Sequence, residues 1–391
     1  MAAALTACGE SPDDTKEKTD DSATVAEAAT EQSTVVGDEL RDKVKTLIDE
    51  NLVGHGYKGA AYIVYRGEEV YSGGAGKANK KENIDNSADV VYHIASITKQ
   101  FTAAAILKLC EQGKMSLDDT LSKYYPDYTI GGDITIHNLL SMQSGIPDYL
   151  RSYDEDGNEV ESTTQAAIEG VEETNSMEDN CTALRGWILS QELLFEQGDR
   201  FSYCNSNYFL LGEIIEKVSN ESYFDYLRTN FFEPLGMTTA GFMENYDNPK
   251  ATVALGYHNT SGAELLNYKG AAFGCGDMMA SPKDMYKWTT ALHSGKVLGD
   301  EMYHKMITAH AKGDEGYSGY GYGLMIADTG VMPYYFHTGS LPCFYSAVAY
   351  IPQIDYYVAV MSNYNSEGIM NVTRDITEIF MKETGLVPAL G

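Results

Sequence analysis

The chain has 391 residues, of which 57 are acidic and 28 are basic, giving a formal net charge of -29 at pH 7. This acidity argues against nucleic acid as a partner, because binding to phosphates needs a basic face, and against direct adsorption of the protein body to anionic membranes. Hydrophobic residues at 43% and charged residues at 22% are typical of a globular protein with one large domain or two smaller ones.

The N-terminus carries a candidate lipidation signal. Residues 5–8 (Leu-Thr-Ala-Cys) resemble a bacterial lipobox, in which Cys8 would carry the lipid. A secretory signal also needs a basic start and an apolar run of about 7–15 residues, and residues 1–4 supply neither. Either the signal is truncated or the match is a coincidence. We favour truncation, and we expect residues 1–8 to be the remnant of a lipoprotein signal that anchors the protein at the extracytoplasmic cell envelope.

Residues 9–37 are predicted to form a solvated acidic tether, because they are polar, without aromatic residues, and cannot bury enough apolar area to fold. The folded domain should then cover residues 38–391. Apolar spacing predicts a helix over residues 38–48. Two strands joined by a tight turn are predicted at residues 60–65 and 69–72.

The chain has one Ser-x-x-Lys sequence, Ser96 to Lys99, at the start of a helix predicted through residue 109. Positions three apart share a helix face, so the Lys99 amine can reach the Ser96 hydroxyl. A serine hydroxyl becomes a good nucleophile when a neighbouring base takes its proton. The first turn of a helix also offers free backbone N–H groups to a developing oxyanion.

The acidic stretch between residues 151 and 185 is predicted to be a long surface loop, with a lid over the site as the alternative. A helix is predicted at residues 208–218, a hairpin at 344–351 and 356–361, and a last helix at about 367–382. Strands at both chain ends predict an α+β fold. Its antiparallel sheet would be flanked by helices in one lobe (about 38–115 and 250–391), with a mostly helical lobe at about 116–249.

Two further short motifs follow Ser96 in chain order. Tyr203 and Asn205 form a Tyr-x-Asn before a helix, and residues 337–339 read His-Thr-Gly before a strand. Taken singly, Lys99 could be a solvated helix lysine, Tyr203 a packed tyrosine and His337 a satisfied core histidine. As an ordered set, the three motifs favour a catalytic site.

These motifs resemble those of the serine beta-lactamase and penicillin-binding protein superfamily, on the branch of class C beta-lactamases, DD-carboxypeptidases and related esterases. The flanks at residues 134–147, 232–237 and 319–323 are also similar to that family. The resemblance covers about residues 40–385 and implies the beta-lactamase/transpeptidase-like fold.

The resemblance implies a role for each motif residue. Ser96 would be the acylated nucleophile and Lys99 its base, which requires burial or a nearby cation to favour the free amine. Tyr203 would pass the proton to the leaving group and later activate water. The implied substrate-binding residues are Asn205, His337, Thr338, Gly339 and Ser340. The N–H groups of Ser96 and Ser340 would form the oxyanion hole.

Departures from the family pattern narrow the expected substrate. His337 stands where many beta-lactamases of this branch have lysine, and a mostly neutral imidazole should hold a substrate carboxylate less strongly. Residues 342–344 read Pro-Cys-Phe where the family often has Pro-Gly-Phe, so the local path of the strand could differ. Cys204 and Cys343 could line the pocket or pack; we expect packing.

The sequence therefore predicts a serine acyl hydrolase acting through an acyl-enzyme on D-alanyl peptides, esters or beta-lactams. A peptidoglycan-type peptide or a small molecule is the expected substrate. The rivals are a true class C-like beta-lactamase, a penicillin-binding sensor that does not turn over, and a degenerate scaffold. No cofactor is expected, and no metal, because no Cys-x-x-Cys or His-Glu-x-x-His occurs. Oligomeric state is left open, and membrane contact is expected only through Cys8.

Overall fold

An eight-stranded antiparallel sheet brings the two ends of the folded chain together. The computed structural model describes residues 36–50, 56–150, 152–153, 159–160, 168–257, 268–313, 317–328, 332–364 and 369–386. The strands are β1 (Gly59–Tyr65), β2 (Glu68–Ala75), β3 (Lys77–Asn79), β4 (Ile84–Asp85), β5 (Tyr92–His93), β6 (Ser152–Tyr153), β7 (Glu159–Val160), β8 (Gly241–Phe242), β9 (Met278–Ala280), β10 (Ala311–Lys312), β11 (Gly319–Tyr320), β12 (Met325–Asp328), β13 (Pro333–Leu341), β14 (Phe344–Ile351) and β15 (Tyr356–Ser362).

The main sheet has the order β10-β11-β12-β13-β14-β15-β1-β2, so the N-terminal hairpin adds to the C-terminal strands. Strands β1 and β15 are buried along their whole length, which explains their continuous apolar sequences. The α+β fold, with an antiparallel sheet built from both chain ends, is confirmed. Strands β5, β8 and β9 form a separate small sheet beside the start of the Ser96 segment.

The helices are α1 (Asp38–Ile48), α2 (Thr98–Glu111), α3 (Leu121–Tyr124), α4 (Ile136–Leu140), α5 (Met177–Ser190), α6 (Asn205–Ser219), α7 (Tyr223–Leu227), α8 (Glu233–Leu235), α9 (Pro282–His293), α10 (Asp300–Ile307) and α11 (Ile369–Glu383). Helix α9 contacts β1 and β15, and α11 contacts β14, β15 and α1, so helices cover the sheet. Helix α2 packs on α6, which joins two of the predicted motifs. Among the described helices, none combines the length and the apolar character needed to cross a membrane.

The predicted helix at residues 38–48, both hairpins and the helix at 208–218 are confirmed, the last within the longer α6. The terminal helix is confirmed at Ile369–Glu383. The division into two lobes stays a prediction. The lipidation at Cys8 and nearly all of the tether lie outside the described residues.

Two details of the sequence-based prediction are wrong. Val36, assigned to the tether, is buried, and its N–H donates to Glu68 Oε2 (3.4 Å), so the folded part begins before residue 38. The predicted surface loop at 151–185 contains the start of α5. Ser176 caps that helix by accepting the N–H of Asp179, and its buried face includes Leu184. Most of residues 151–167, where a lid was the alternative, lies outside the described part of the chain.

Candidate active site

Ser96 is presented by a fixed turn at the start of α2. It is the one residue in the stretch 90–107 that is not buried. Ile94, two residues before Ser96, is held from two sides: its N–H donates to the Met278 carbonyl (3.0 Å), and its carbonyl accepts from Ser346 Oγ (2.8 Å). The backbone that carries Ser96 is therefore buried and fixed by hydrogen bonds, and a nucleophile needs such a fixed position.

Lys99 lies one helical turn from Ser96 and has no exposed surface. Its Nζ is 3.1 Å from Ser96 Oγ, 2.8 Å from Asn205 Oδ1 and 2.8 Å from the Cys275 carbonyl oxygen. The predicted contact between Ser96 and Lys99 and the predicted hydrogen bond between Asn205 and Lys99 are both present.

The three partners of Lys99 are chemically unequal. The oxygens of Asn205 and Cys275 are carbonyl oxygens, which only accept hydrogen bonds, so each fixes one N–H of the amine. The third hydrogen-bonding direction of the Lys99 amine points to the Ser96 hydroxyl. An ammonium would donate to Ser96 Oγ, whereas a neutral amine would accept the Ser96 proton. Of these three partners, Ser96 alone can exchange a proton with Lys99.

Asp148 fixes the orientation of the Asn205 amide. Its Oδ2 accepts the Asn205 backbone N–H (3.0 Å) and the Asn205 side-chain amide (2.8 Å), and its Oδ1 accepts the Leu150 N–H (2.8 Å). A carboxylate at the first residue of α6 is also favoured by the helix dipole. Because the amide nitrogen is bound to Asp148, the amide oxygen must face Lys99. Asp148 is not among the predicted site residues, although it directly follows the family-like flank at 134–147.

Replacing Asp148 by Asn should disorder this arrangement. In either orientation the new amide turns an N–H toward one of the N–H groups that Asp148 accepts, at a cost of about 1–3 kcal/mol in unfolding free energy. We expect acylation of Ser96 to slow about 10²-fold, because Lys99 loses its fixed partner. Labelling rates and thermal unfolding measure the two effects. The exposed Asp247→Asn serves as control, and wild-type labelling by Asp148→Asn would contradict the positioning role.

Tyr203 is brought to the same site. Its ring centre lies 4.9 Å from Lys99 Nζ, a cation–π distance. The ring also contacts Tyr320 and His337 at centroid distances of 6.3 and 6.2 Å. The residue is partly exposed. Its place beside Lys99 fits the predicted proton-transfer role, which stays a prediction.

His337 is enclosed next to Tyr203 and Tyr320. Its side chain has no exposed surface, its Nδ1 faces the Thr338 carbonyl oxygen (2.6 Å), and its Nε2 faces the Tyr320 hydroxyl (3.3 Å). Because a carbonyl only accepts, Nδ1 carries the proton and Nε2 accepts from Tyr320. Burial, aided by the charge of Lys99, lowers the pKa of His337 to about 3. Both ring nitrogens thus have partners, as in a satisfied core histidine, and the predicted substrate contact of His337 stays a prediction.

Gly339 lets strand β13 lie directly on the nucleophile segment. A Cβ at this position would fall 2.2 Å from the Ile94 carbonyl oxygen, 2.5 Å from Ser346 Oγ and 2.9 Å from Ala95 Cβ. Ala95 itself has a φ of +48°, so strain is held beside Ser96.

The next residue of β13, Ser340, is exposed and Thr338 is half-buried, as expected for alternate positions of an edge facing a site. The oxyanion hole at the Ser96 and Ser340 N–H groups stays a prediction.

The two cysteines near the motifs pack, as expected. Cys204 is buried, and its thiol donates to the Ile146 carbonyl oxygen (3.2 Å). Cys343 is fully buried with a φ of +66°, a left-handed conformation that glycine adopts without strain. The cysteine therefore keeps the turn between β13 and β14 that a glycine would form. Among the described residues, no group of three or more His, Cys, Asp or Glu side chains could hold a metal ion.

The structure thus gathers Ser96, Lys99, Tyr203, Asn205 and the strand at 338–340 at one place, with Asp148, Cys275 and Tyr320 as supports that the sequence did not reveal. A hydroxyl in contact with a buried amine, beside a glycine-bearing strand edge, defines a site of the serine acyl-transfer class. The chain belongs to the Beta-lactamase family, whose family model matches residues 42–376.

Individual relatives agree with this membership. The Bacillus subtilis protein PbpX, named among the penicillin-binding proteins, is 33% identical over 286 residues, which are 71% of this chain and 66% of that protein; the chain thus spans just under two thirds of this relative. A penicillin-binding protein from Bacillus halodurans is 28% identical with a TM-score of 0.72, covering 86% of this chain and 99% of its own. A D-amino acid amidase from Ochrobactrum anthropi, at 22% identity, shares the fold with a TM-score of 0.73 over 89% of this chain and 99% of its own.

Proposed function

We propose that the protein is a serine hydrolase that forms an acyl-enzyme on Ser96 and acts on D-alanyl peptides, esters or beta-lactams. The observation that carries the proposal is the contact between Ser96 Oγ and Lys99 Nζ (3.1 Å), with the other two directions of the amine occupied by carbonyl oxygens. Lys99 in its neutral form accepts the Ser96 proton as Oγ attacks the substrate carbonyl carbon.

The remaining steps follow from the placement of the other residues. The tetrahedral oxyanion would be held by the N–H groups of Ser96 and Ser340. Collapse breaks the bond to the leaving group, which takes the proton through Lys99 and Tyr203. Water then attacks the acyl-Ser96 ester, gives one proton to the same groups and restores the Ser96 hydroxyl.

The neutral state of His337 supports a peptidase-like or esterase-like substrate over efficient hydrolysis of beta-lactams. A lysine at this position would offer a positive charge to a substrate carboxylate; an imidazole with a pKa of about 3 offers none at neutral pH. Carboxypeptidase or esterase activity, a lipid anchor at Cys8 and a place at the cell envelope belong to this proposal.

Intact-protein mass spectrometry with a penicillin, a short-chain ester and a D-Ala-D-Ala peptide tests the proposal. We expect an adduct that forms and then decays on at least one compound. It should be absent in Ser96→Ala and retained in Ser190→Ala, an exposed serine at the end of α5. A persistent penicillin adduct without product would indicate the sensor, and rapid penicillin turnover the beta-lactamase. A wild-type protein that forms no adduct with any compound would refute the acyl-enzyme.

A further inference from the structure

The carbonyl oxygen that binds Lys99 belongs to a turn, residues 270–276, which a second side chain of α2 also holds. This side chain is Thr102, one helical turn after Lys99 and without exposed surface. Its Oγ1 donates to the Gly274 carbonyl oxygen (2.7 Å), and Lys99 Nζ donates to the Cys275 carbonyl oxygen (2.8 Å). Two successive carbonyls of the turn therefore accept from two side chains on one face of α2.

The contacts of Thr102 determine the direction of its hydrogen bonds. A carbonyl oxygen only accepts, so the single hydroxyl proton of Thr102 points to Gly274. The Thr98 carbonyl oxygen is the more distant acceptor, at 3.5 Å. The Tyr223 hydroxyl lies 2.8 Å from Thr102 Oγ1 and donates to it. Burial raises the pKa of Tyr223 well above its usual value, so the phenol keeps the proton that it donates.

The peptide planes of the turn carry this contact to Lys99. The Gly274 carbonyl and the Cys275 N–H belong to one rigid peptide plane. Thr102 binds the oxygen of this plane, and the Ala272 carbonyl oxygen accepts its N–H (3.1 Å). The same Ala272 oxygen accepts the N–H of the next plane (2.8 Å), whose oxygen binds Lys99. Because the first plane is held at both ends, the direction of the Cys275 carbonyl depends only on the φ and ψ of that residue.

The same turn packs against α6 through backbone atoms. Gly274 has a φ of +67°, and a Cβ there would fall 2.7 Å from the Tyr208 carbonyl oxygen and 3.2 Å from Gly212 Cα. This steric contact limits how close the turn lies to α6, but it does not orient the carbonyl of Gly274. Glycine also permits rotation of the peptide plane that follows it, and the hydrogen bond from Thr102 opposes that rotation.

We propose that Thr102 is a positioning residue of the acylation site. Its hydroxyl fixes the peptide plane between Gly274 and Cys275. The Cys275 carbonyl in turn holds the Lys99 amine so that its third hydrogen-bonding direction points to Ser96. Without the hydroxyl the peptide plane can rotate and the amine loses its aim, so the chemical step should slow while substrate binding is unchanged. This inference rests on the proposed acyl-enzyme function.

The test is single-turnover labelling of Ser96 over a range of concentrations of whichever compound labels the wild-type protein. The limiting rate reports the chemical step, and the half-saturating concentration reports binding. In Thr102→Val, which keeps the shape and removes the hydroxyl, we expect the limiting rate to fall about 10–100-fold and the half-saturating concentration to stay within about twofold. Thr102→Ser restores a hydroxyl and should recover the limiting rate to within about threefold of wild type.

Two control variants separate positioning from a general loss of stability. Tyr223→Phe removes the donor to Thr102 but leaves the hydrogen bond from Thr102 to Gly274. It should keep the wild-type limiting rate and lower the midpoint of thermal unfolding. Thr289→Val makes the isosteric substitution at a buried threonine of α9 whose hydroxyl has no hydrogen-bond partner among the described residues. It should keep the rate and should not lower the midpoint.

Several results would overturn the inference. One is a wild-type limiting rate in folded Thr102→Val, and another is an equal loss in Thr102→Ser or in Tyr223→Phe. If circular dichroism shows that Thr102→Val does not fold, Thr102→Ala takes its place with the same expected rates. Failure of both variants to fold would make the hydroxyl a structural group and would also overturn the inference. A wild-type protein that no compound labels refutes the proposed function itself, and the inference falls with it.

Discussion

Replacing Lys99 by methionine is expected to slow acylation of Ser96 by about 10²–10⁴-fold, the usual contribution of a general base. Methionine has a similar length and no basic group. The carbonyl oxygens of Asn205 and Cys275 also lose their donor, and each buried acceptor left alone costs about 1–3 kcal/mol of unfolding free energy. Single-turnover labelling followed by intact mass gives the rate, and thermal unfolding separates a chemical defect from a folding defect.

The Lys99→Arg variant is the informative control. Arginine keeps a positive charge and several donors but does not release a proton in proteins. If Lys99 acts as the base, Lys99→Arg should be about as slow as Lys99→Met. A rate in Lys99→Arg above about a tenth of the wild-type value would show that the residue acts through its charge.

The Gly339→Ala substitution should also have a large effect, through position rather than chemistry. Its Cβ would lie 2.2 Å from the Ile94 carbonyl oxygen, so strand β13 must move away from the segment that holds Ser96. A displacement of about 1 Å at an active site can cost about 10²-fold in rate. We expect a loss of that order in the labelling rate and a lower thermal midpoint.

Gly186 in helix α5 provides a matched substitution. A Cβ at Gly186 would meet no atom within 4 Å. Gly186→Ala should leave the labelling rate unchanged and increase the unfolding free energy by up to about 1 kcal/mol. Wild-type rate and stability in Gly339→Ala would contradict the close approach of β13 to the nucleophile segment.

The parts of the fold that the sequence predicts are those set by local periodicity. Helix α1 matches its predicted bounds, and the hairpin of β14 and β15 differs by one residue, because their apolar spacing is continuous. Helix α5 was not predicted because its apolar face is narrow. Leu184 and Ile188 are its buried apolar residues, and the acidic residues of the segment obscure their helical spacing.

The candidate site likewise has contacts that local spacing predicts and contacts that it does not. Ser96 and Lys99 share one helical turn, so their contact follows from spacing alone. Asp148 and Cys275 bind partners more than 50 residues away in the chain, Asn205 and Lys99. No local pattern reports such a pairing, since it depends on how α2, α6 and the segment before β9 pack. For His337 the residue type suggested a charge state, but burial determined it.

The burial and the hydrogen bonds of His337 keep its charge constant over a wide range of pH. An imidazole on the surface changes charge when its surroundings acidify from neutral to mildly acid conditions. Here the ring is enclosed, with Tyr320 and Thr338 at its two nitrogens, and its pKa lies at about 3. His337 therefore stays uncharged from pH 8 down to pH 5, and acidification over this range leaves its two hydrogen bonds in place.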